Sequence, residues 1–268
     1  AAACRMLVYS RRLSNRRRTL MPNVAEHKEW LSLIDVSGPF LTLPVLNEML
    51  PDGLDALQDG LAARLRLALE EKTQAGTEAA ASLAFMDFVL AEVLGYDEEV
   101  LRPGREYGNI RLFLPEFQEE LRPDYVLVPP AEVSFSLDEG AEGAGAGKEP
   151  VLLIARAPGK DPEKAFPGAG CPWSPARRMA ELCRAGGVPL GLVCGEEKYT
   201  LVYAAKNRTT SYISWDAGLW LEERITLRAF VTLLCKHRFF SLTEKESLTR
   251  LMEQSADKQQ EVTDKLGL

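Results

Sequence analysis

Two aliphatic runs, "VLLIA" at 151–155 and "VPLGLVC" at 188–194, flank a helix whose two ends are both marked in the sequence. Ser174-Pro175 offers a capping hydroxyl followed by a proline in the first turn. Gly186-Gly187 supplies residues that tolerate the left-handed conformation at the other end. Strand, helix and strand in such quick succession leave few choices, because the helix has to bury its apolar face on a sheet. Around this unit "NIRLFL" (109–114) and "DYVLV" (124–128) read as further strands. "YTLVYAA" (199–205) turns back on 188–194 across "GEEK", and "SYISW" (211–215) makes a third strand there. The expected fold class is α/β, a mixed central sheet flanked by helices.

The helices are legible from spacing. Leu57, Leu61, Leu65 and Leu69 recur every four residues through "ALQDGLAARLRLALEEK", giving one apolar stripe. A second helix starts at the capping residue Thr77 and ends at Gly95, and a third uses Ile225, Phe230, Val231 and Leu234. Ahead of them, "WLSLIDVSGPFLTLPVLNEMLP" (30–51) is cut by Gly38, Pro39, Pro44 and Pro51 into brief elements, a packed helical lead-in. At the other end, Thr243 and Glu246 form a capping box. The helix after it carries a seam of Leu248, Met252, Ser255, Gln259, Val262 and Leu266 that thins to polar residues without a firm stop. Residues 241–268 are therefore expected to be a helical connector to a missing downstream domain. Residues 28–240 are the expected α/β domain, and 1–27 a basic, disordered leader.

Charge narrows the function. The chain carries −7 overall, yet its first 20 residues hold six of the 32 basic residues and no acid. The remainder has 26 bases against 39 acids, net −13, and such a body is a poor nonspecific binder of polyanions. DNA contact is expected to be weak and local. The basic start is compatible with a targeting presequence or a nucleic-acid arm; the preferred reading is a disordered segment ahead of a natural start at Met21. No apolar run reaches the roughly 20 residues of a membrane span. Five cysteines, odd in number and never spaced CxxC, point to reduced thiols in a cytoplasm, and two histidines, His27 and His237, make a His-rich metal site improbable. His237 is read as a helix-end residue near the terminal carbonyls rather than a base. Trp215 and Trp220 are read as core or interdomain contacts before base-stacking platforms. The Gly-rich stretch "DEGAEGAGAGKE" (138–149) has neither the glycine spacing nor the hydroxyl of a phosphate loop, and it precedes a strand instead of leaving one. It reads as a mobile surface loop.

One carboxylate stands out. Asp124 follows Pro123 at the head of "DYVLV", and the next strand, "VLLIARA", would lie beside it. The order helix, strand, strand bearing Asp124, strand 151–155, helix 175–185, strands 189–194 and 199–205 resembles the PD-(D/E)xK nuclease fold, also called restriction-endonuclease-like. In that family the Asp and a carboxylate on the next strand hold Mg²⁺, and a Lys two residues after the second carboxylate orients the attacking water. The chemistry needs this set because a hard divalent cation wants several oxygen ligands, and a phosphodiester needs a metal-polarised phosphate and a positioned nucleophile. This sequence keeps Pro123-Asp124 but has Ala155-Arg156-Ala157 where the resemblance implies Glu-x-Lys. The expectation is a vestigial site that does not cut. Lys160 and Asp161 just beyond, with Glu92 from the second helix, are the displaced residues that would restore an Mg²⁺-dependent endonuclease. The plainest alternative for Asp124 is a turn cap.

A wider likeness covers most of residues 28–268. "EWLSLIDVSGPFLTLPVLNEMLPDGLDAL", "SPARRMAELCRAGGVPLGLVCGEEKYTLVYA", "SYISW" and "SADKQQEVTDKLG" resemble the N-terminal region of the large adenine-specific DNA methyltransferases of phage-defence islands, type IIG-like and DISARM-type. The resemblance implies a nuclease-like, often degenerate front module, S-adenosylmethionine chemistry in the parent protein, and a downstream methyltransferase domain or other defence-system subunits as partners. This chain has no Asn-Pro-Pro-Tyr/Phe to grip a flipped adenine and no Gly-rich cofactor loop after a strand, so no cofactor is expected within it. The candidate nucleic-acid contacts are Lys206, Asn207, Arg208, Thr209 and Thr210 on a strand-connecting loop, and Arg177 and Arg178 near a helix N-terminus. For either patch alone, the preferred reading is the plainer one, a solvated turn for the first and an exposed helix face for the second. A pure protein-interaction platform, consistent with the acidic body, is the third functional class.

Overall fold

The computed structural model describes residues 24–38, 41–75, 79–130, 149–165, 170–240 and 247–266. Its centre is a seven-stranded mixed sheet flanked by helices. The strands are β1 (Asp35–Ser37), β2 (Leu101–Pro103), β5 (Tyr125–Leu127), β6 (Leu152–Arg156), β7 (Leu190–Cys194), β8 (Lys198–Tyr203) and β9 (Ser211–Asp216), in the spatial order β1-β9-β8-β7-β6-β5-β2. β3 (Leu112–Leu114) and β4 (Glu119–Leu121) form a separate two-stranded sheet. Every neighbouring pair of the large sheet is antiparallel except β6 and β7. Those two are joined by helix α5 (Pro175–Gly186), since a parallel pair needs a long crossover.

α5 forms where its end signals place it. The Ser174 hydroxyl accepts a hydrogen bond from the Arg177 N–H (3.3 Å), Pro175 fills the first turn, and Gly187 closes the helix at φ +73°. Its apolar stripe of Ala176, Met179, Ala180, Leu182 and Cys183 lies on the sheet, where Gly191 leaves room for Met179. This thinner face is completed by the β3–β4 hairpin. The opposite face is thickly covered by α1 (Val24–Ser32), α2 (Leu43–Met49), α3 (Leu61–Ala75), α4 (Ala79–Phe88), α6 (Arg224–Leu234) and the start of α8 (Leu248–Leu266); the short α7 (Lys236–Phe240) follows α6. At the centre of that face the Phe230 ring packs on Trp215 (5.3 Å), Trp220 (4.8 Å) and Tyr199 (5.7 Å). Both tryptophans are fully buried, so they are core residues.

Several expectations shift by a few residues for identifiable reasons. The leucine-striped helix begins at Leu61, because Gly60 takes φ +77° and its carbonyl receives the first helical N–H groups. The second helix passes into a π turn at Val89–Val93 before Gly95, at φ +72°, ends it. The strand read at 109–114 is not in the central sheet; the strand beside the Asp124 strand is β2, with register Pro103↔Tyr125. A proline is tolerated there because β2 is an edge strand. The lead-in is not wholly helical, since β1 adds the other edge of the sheet. The packed body also starts earlier than residue 28: His27 is fully buried, its Nδ1 accepting from Trp30 Nε1 (3.2 Å) and its Nε2 donating to the Leu50 carbonyl (3.1 Å). His237 lies in α7, within its last turn.

In α8, Leu248, Leu251, Met252 and Ser255 are buried, and the Ser255 hydroxyl accepts from the Thr42 N–H (3.2 Å). This half of the expected connector is thus packed into the domain. The Arg-rich residues 1–20, the Thr77 cap, most of the Gly-rich stretch and the Thr243–Glu246 capping box lie outside the described residues. Among the described residues, no helix is long and apolar enough to cross a membrane.

Candidate functional site

Asp124 sits immediately before β5, at the end of the sheet where the parallel strands β6 and β7 terminate. Backbone pairing places it. The Asp124 N–H donates to the Ile154 carbonyl (2.9 Å), and the Gly104 N–H donates to the Asp124 carbonyl (2.8 Å). With Tyr125 opposite Ile154, the register continues to put Asp124 beside Ala155. Gly104 is required for this closeness, because a Cβ there would collide with the Pro123 carbonyl.

The carboxylate is occupied by its neighbour. Arg156 donates to Oδ1 from Nε (3.1 Å) and Nη2 (2.9 Å), and its backbone N–H donates to Oδ2 (2.8 Å). A guanidinium fork and a main-chain amide thus converge on the acid. The contact, above all its hydrogen bonds to the carboxylate, holds the Arg156 guanidinium above its ordinary range. Ala155 and Ala157, on either side of Arg156, contribute methyl groups and no oxygen. These residues do not fit a catalytic divalent cation: Asp124 is the carboxylate at the strand end, both its oxygens already accept from Arg156, a fixed positive charge stands beside it, and the nearby Glu119 and Glu120 are paired with Arg178 and Arg122.

The displaced candidates are not gathered there. Lys160 pairs with Glu197 (2.5 Å), Asp161 lies between Lys164 (3.3 Å) and Lys198 (3.7 Å), and Glu92 pairs with Arg64. None of the three lines the cavities beside Asp124. Among the described residues, no group of three or more His, Cys, Asp or Glu side chains is placed to hold a metal ion. Cys194, at the end of β7, is no nucleophile either: burial first, and then the Asp124 charge, push its thiol far above the ordinary range.

Two cavities flank the Asp124–Arg156 pair. One, of about 230 Å³, lies under α5 and the β3–β4 hairpin; the other, of about 360 Å³, lies toward α4 and is bordered by Ser82, Met86 and Cys194. The wall of the first is fixed by Arg178, which donates to the Trp173 carbonyl (3.2 Å), the Cys171 carbonyl (2.8 Å) and Glu119 Oε1 (2.6 Å). Arg178 is therefore a structural clamp and not an open phosphate contact.

Arg177 is exposed, and its guanidinium lies 4.4 Å from the Trp173 ring centre. Lys206, Asn207, Arg208 and Thr209 form an exposed turn after β8, with Asn207 at φ +59°. Arg208 pairs with Asp257 of α8 (2.7 Å), and Thr210 accepts from Arg184 in the last turn of α5. The two expected patches thus sit at opposite ends of one helix, about 18 Å long by its residue count. The arginine opposite Asp124 and the Trp173–Arg177 stack escaped the sequence reading. The second had a signal, an aromatic and a cation four residues apart across a helix start.

No family model, curated protein or solved structure matches this chain.

Proposed function

We propose that this chain is a noncatalytic, nuclease-like module that contacts or scaffolds DNA within a DNA adenine methyltransferase of a restriction-modification or phage-defence system. The observation that carries the noncatalytic part is the Arg156 fork on Asp124, with alanines on both sides of it. The restriction-endonuclease-like reading is supported by element order. α4, β2, β5, β6, α5 and β7 come in this chain order, with the β3–β4 hairpin inserted between β2 and β5; β2-β5-β6-β7 are spatial neighbours, and the acid stands at the second of these strands. The methyltransferase parent rests on the sequence resemblance alone, and S-adenosylmethionine belongs to that parent; no step is assigned to it here. The DNA contact rests on exposed Arg177 and Lys206 at the two ends of α5, where a duplex backbone has donors and, among the described residues, no acid is paired with either.

Fluorescence polarisation with a labelled duplex at low salt tests the reading. Binding should weaken with added salt, and Arg177→Glu and Lys206→Glu should each lower the salt slope by about one ion. Incubation with Mg²⁺ or Mn²⁺ should leave the DNA uncut. Cleavage that Asp124→Ala abolishes would restore the endonuclease reading, and absence of binding at low salt would favour a protein-interaction platform.

A further inference from the structure

We propose that the cavity between β4, β6 and α5, next to Asp124, is a binding site for a single uncharged nucleobase. The choice of ligand class rests on the DNA-contacting reading above; the cavity itself does not. It exists because position 155 is alanine, so that the strand end beside Asp124 leaves a space of about 230 Å³ floored by Leu121, Met179, Leu182 and Val193. That is below the roughly 300 to 1,000 Å³ of sites for drug-sized ligands, which suits one ring system and excludes a whole cofactor.

The rim decides the charge of the ligand. Its three acids and three arginines are matched one to one: Glu119 with Arg178 (2.6 Å), Glu120 with Arg122 (2.8 Å) and Asp124 with Arg156 (2.9 Å). The charges of the lining residues cancel among themselves, so a phosphate gains little from them, whereas a neutral group enters at low cost once its polar edge finds hydrogen-bond partners. Hydrogen-bonding capacity remains at the mouth. Arg156 uses Nε and Nη2 on Asp124; among the described residues its Nη1 donors meet no acceptor, and Asp124 Oδ2 receives a single amide. A donor and an acceptor side by side match the edge of a base, which presents both. Trp173 supplies an aromatic wall, held by Phe117 edge-on (5.7 Å) and by the Arg177 guanidinium. Any base can stack on such a ring, because every base has a π-face. A base stacked inside a duplex cannot enter, so the ligand is a free nucleoside or an unpaired base of a nucleic acid.

The test uses the full chain and three probes: adenosine, AMP, and a short duplex with one unpaired 2-aminopurine beside its fully paired control. Calorimetry with adenosine should show saturable binding, with AMP no tighter. If the source is nucleic acid, the unpaired 2-aminopurine should bind more tightly than the paired control with altered fluorescence; if only adenosine binds, the source is a free nucleoside. Ala155→Leu, which fills the cavity, should weaken binding about tenfold or more while leaving paired-duplex affinity unchanged. Trp173→Ala, at a half-exposed site, should weaken it also, and thermal melting shows that both variants are folded. Absence of saturation by every probe, AMP binding more tightly than adenosine, or unchanged binding by both folded variants would overturn the proposal. Loss of paired-duplex binding in Arg177→Glu with adenosine binding intact would strike the DNA reading and not this site.

Discussion

Replacing Arg156 by alanine tests the central observation most directly, and its cost follows from the exposure of the pair. The Arg156 and Asp124 side chains are 47% and 30% accessible, so solvent screens much of their attraction. Exposed ion pairs stabilise by about 0–1 kcal/mol, and a two-pronged geometry belongs at the upper end. Arg156→Ala should therefore cost about 1 kcal/mol, or about 2–4 °C in Tm for a chain of this size. Asp124→Ala should cost somewhat more, about 1–2 kcal/mol, because it also removes the hydrogen bond that the exposed Arg156 backbone amide donates to Oδ2. A double-mutant cycle by urea denaturation should return a coupling near 1 kcal/mol. The same experiments with millimolar Mn²⁺ should show no stabilisation of Arg156→Ala, since a single carboxylate with alanine neighbours still lacks oxygens for the ion. Micromolar Mn²⁺ binding to Arg156→Ala would refute the reasoning, for the guanidinium would then be a plug over an intact metal site. Zero coupling would refute it differently, by showing that the pair does not form in solution.

Gly104→Ala should distort the Asp124 strand end through collision with the Pro123 carbonyl and lower stability by about 1–3 kcal/mol, read by thermal melting. His27→Leu should cost about 2 kcal/mol by calorimetry, because it leaves the buried Trp30 N–H without its acceptor and removes one donor from the Leu50 carbonyl, which keeps the Gly53 N–H (3.0 Å). Burial raises the thiols of Cys183 and Cys194, so a thiol reagent at neutral pH should leave both unmodified in the native protein and label them in urea. Asp97 accepts a hydrogen bond from Lys236 (2.6 Å), the largest influence holding its carboxyl below the ordinary aspartate range. Its contribution to stability is complete above the unfolded aspartate value and is lost as pH falls through the depressed folded value. Asp97→Asn should accordingly flatten the acid limb of the stability curve below about pH 4, and an unchanged limb would contradict this.

The fold was most readable where local chemistry and tertiary need agree. Ser174, Pro175 and Gly187 bound α5 as their types require, and the aliphatic runs at 151–155 and 188–194 became the two buried parallel strands. β1, β2 and β4 left almost no trace, because "DVS", "LRP" and "EEL" are three-residue strands whose charged or proline residues are tolerated at edges or in a small hairpin. At the candidate site, the missing Glu-x-Lys was visible as Ala155-Arg156-Ala157. What Arg156 does with Asp124 was not, because cross-strand register depends on backbone pairing between residues 32 positions apart. The hydrogen bonds of Arg178 are hidden in the sequence for a related reason: its acceptors include Glu119 on a hairpin that only the folded chain brings near.

The pairing of β1 with β9 carries a consequence for how the molecule is made. Asp35 lies opposite Ser214, so the outer edge of the sheet cannot close until the chain has been made at least to β9. Until then a nascent chain carries β8 as an open margin, with Tyr199, Leu201 and Tyr203 on one side of it. Contacts so distant in sequence slow folding and prolong exposure of that margin to other chains. The edge that β1 covers is therefore the part of the sheet whose closure spans the greatest distance along the chain.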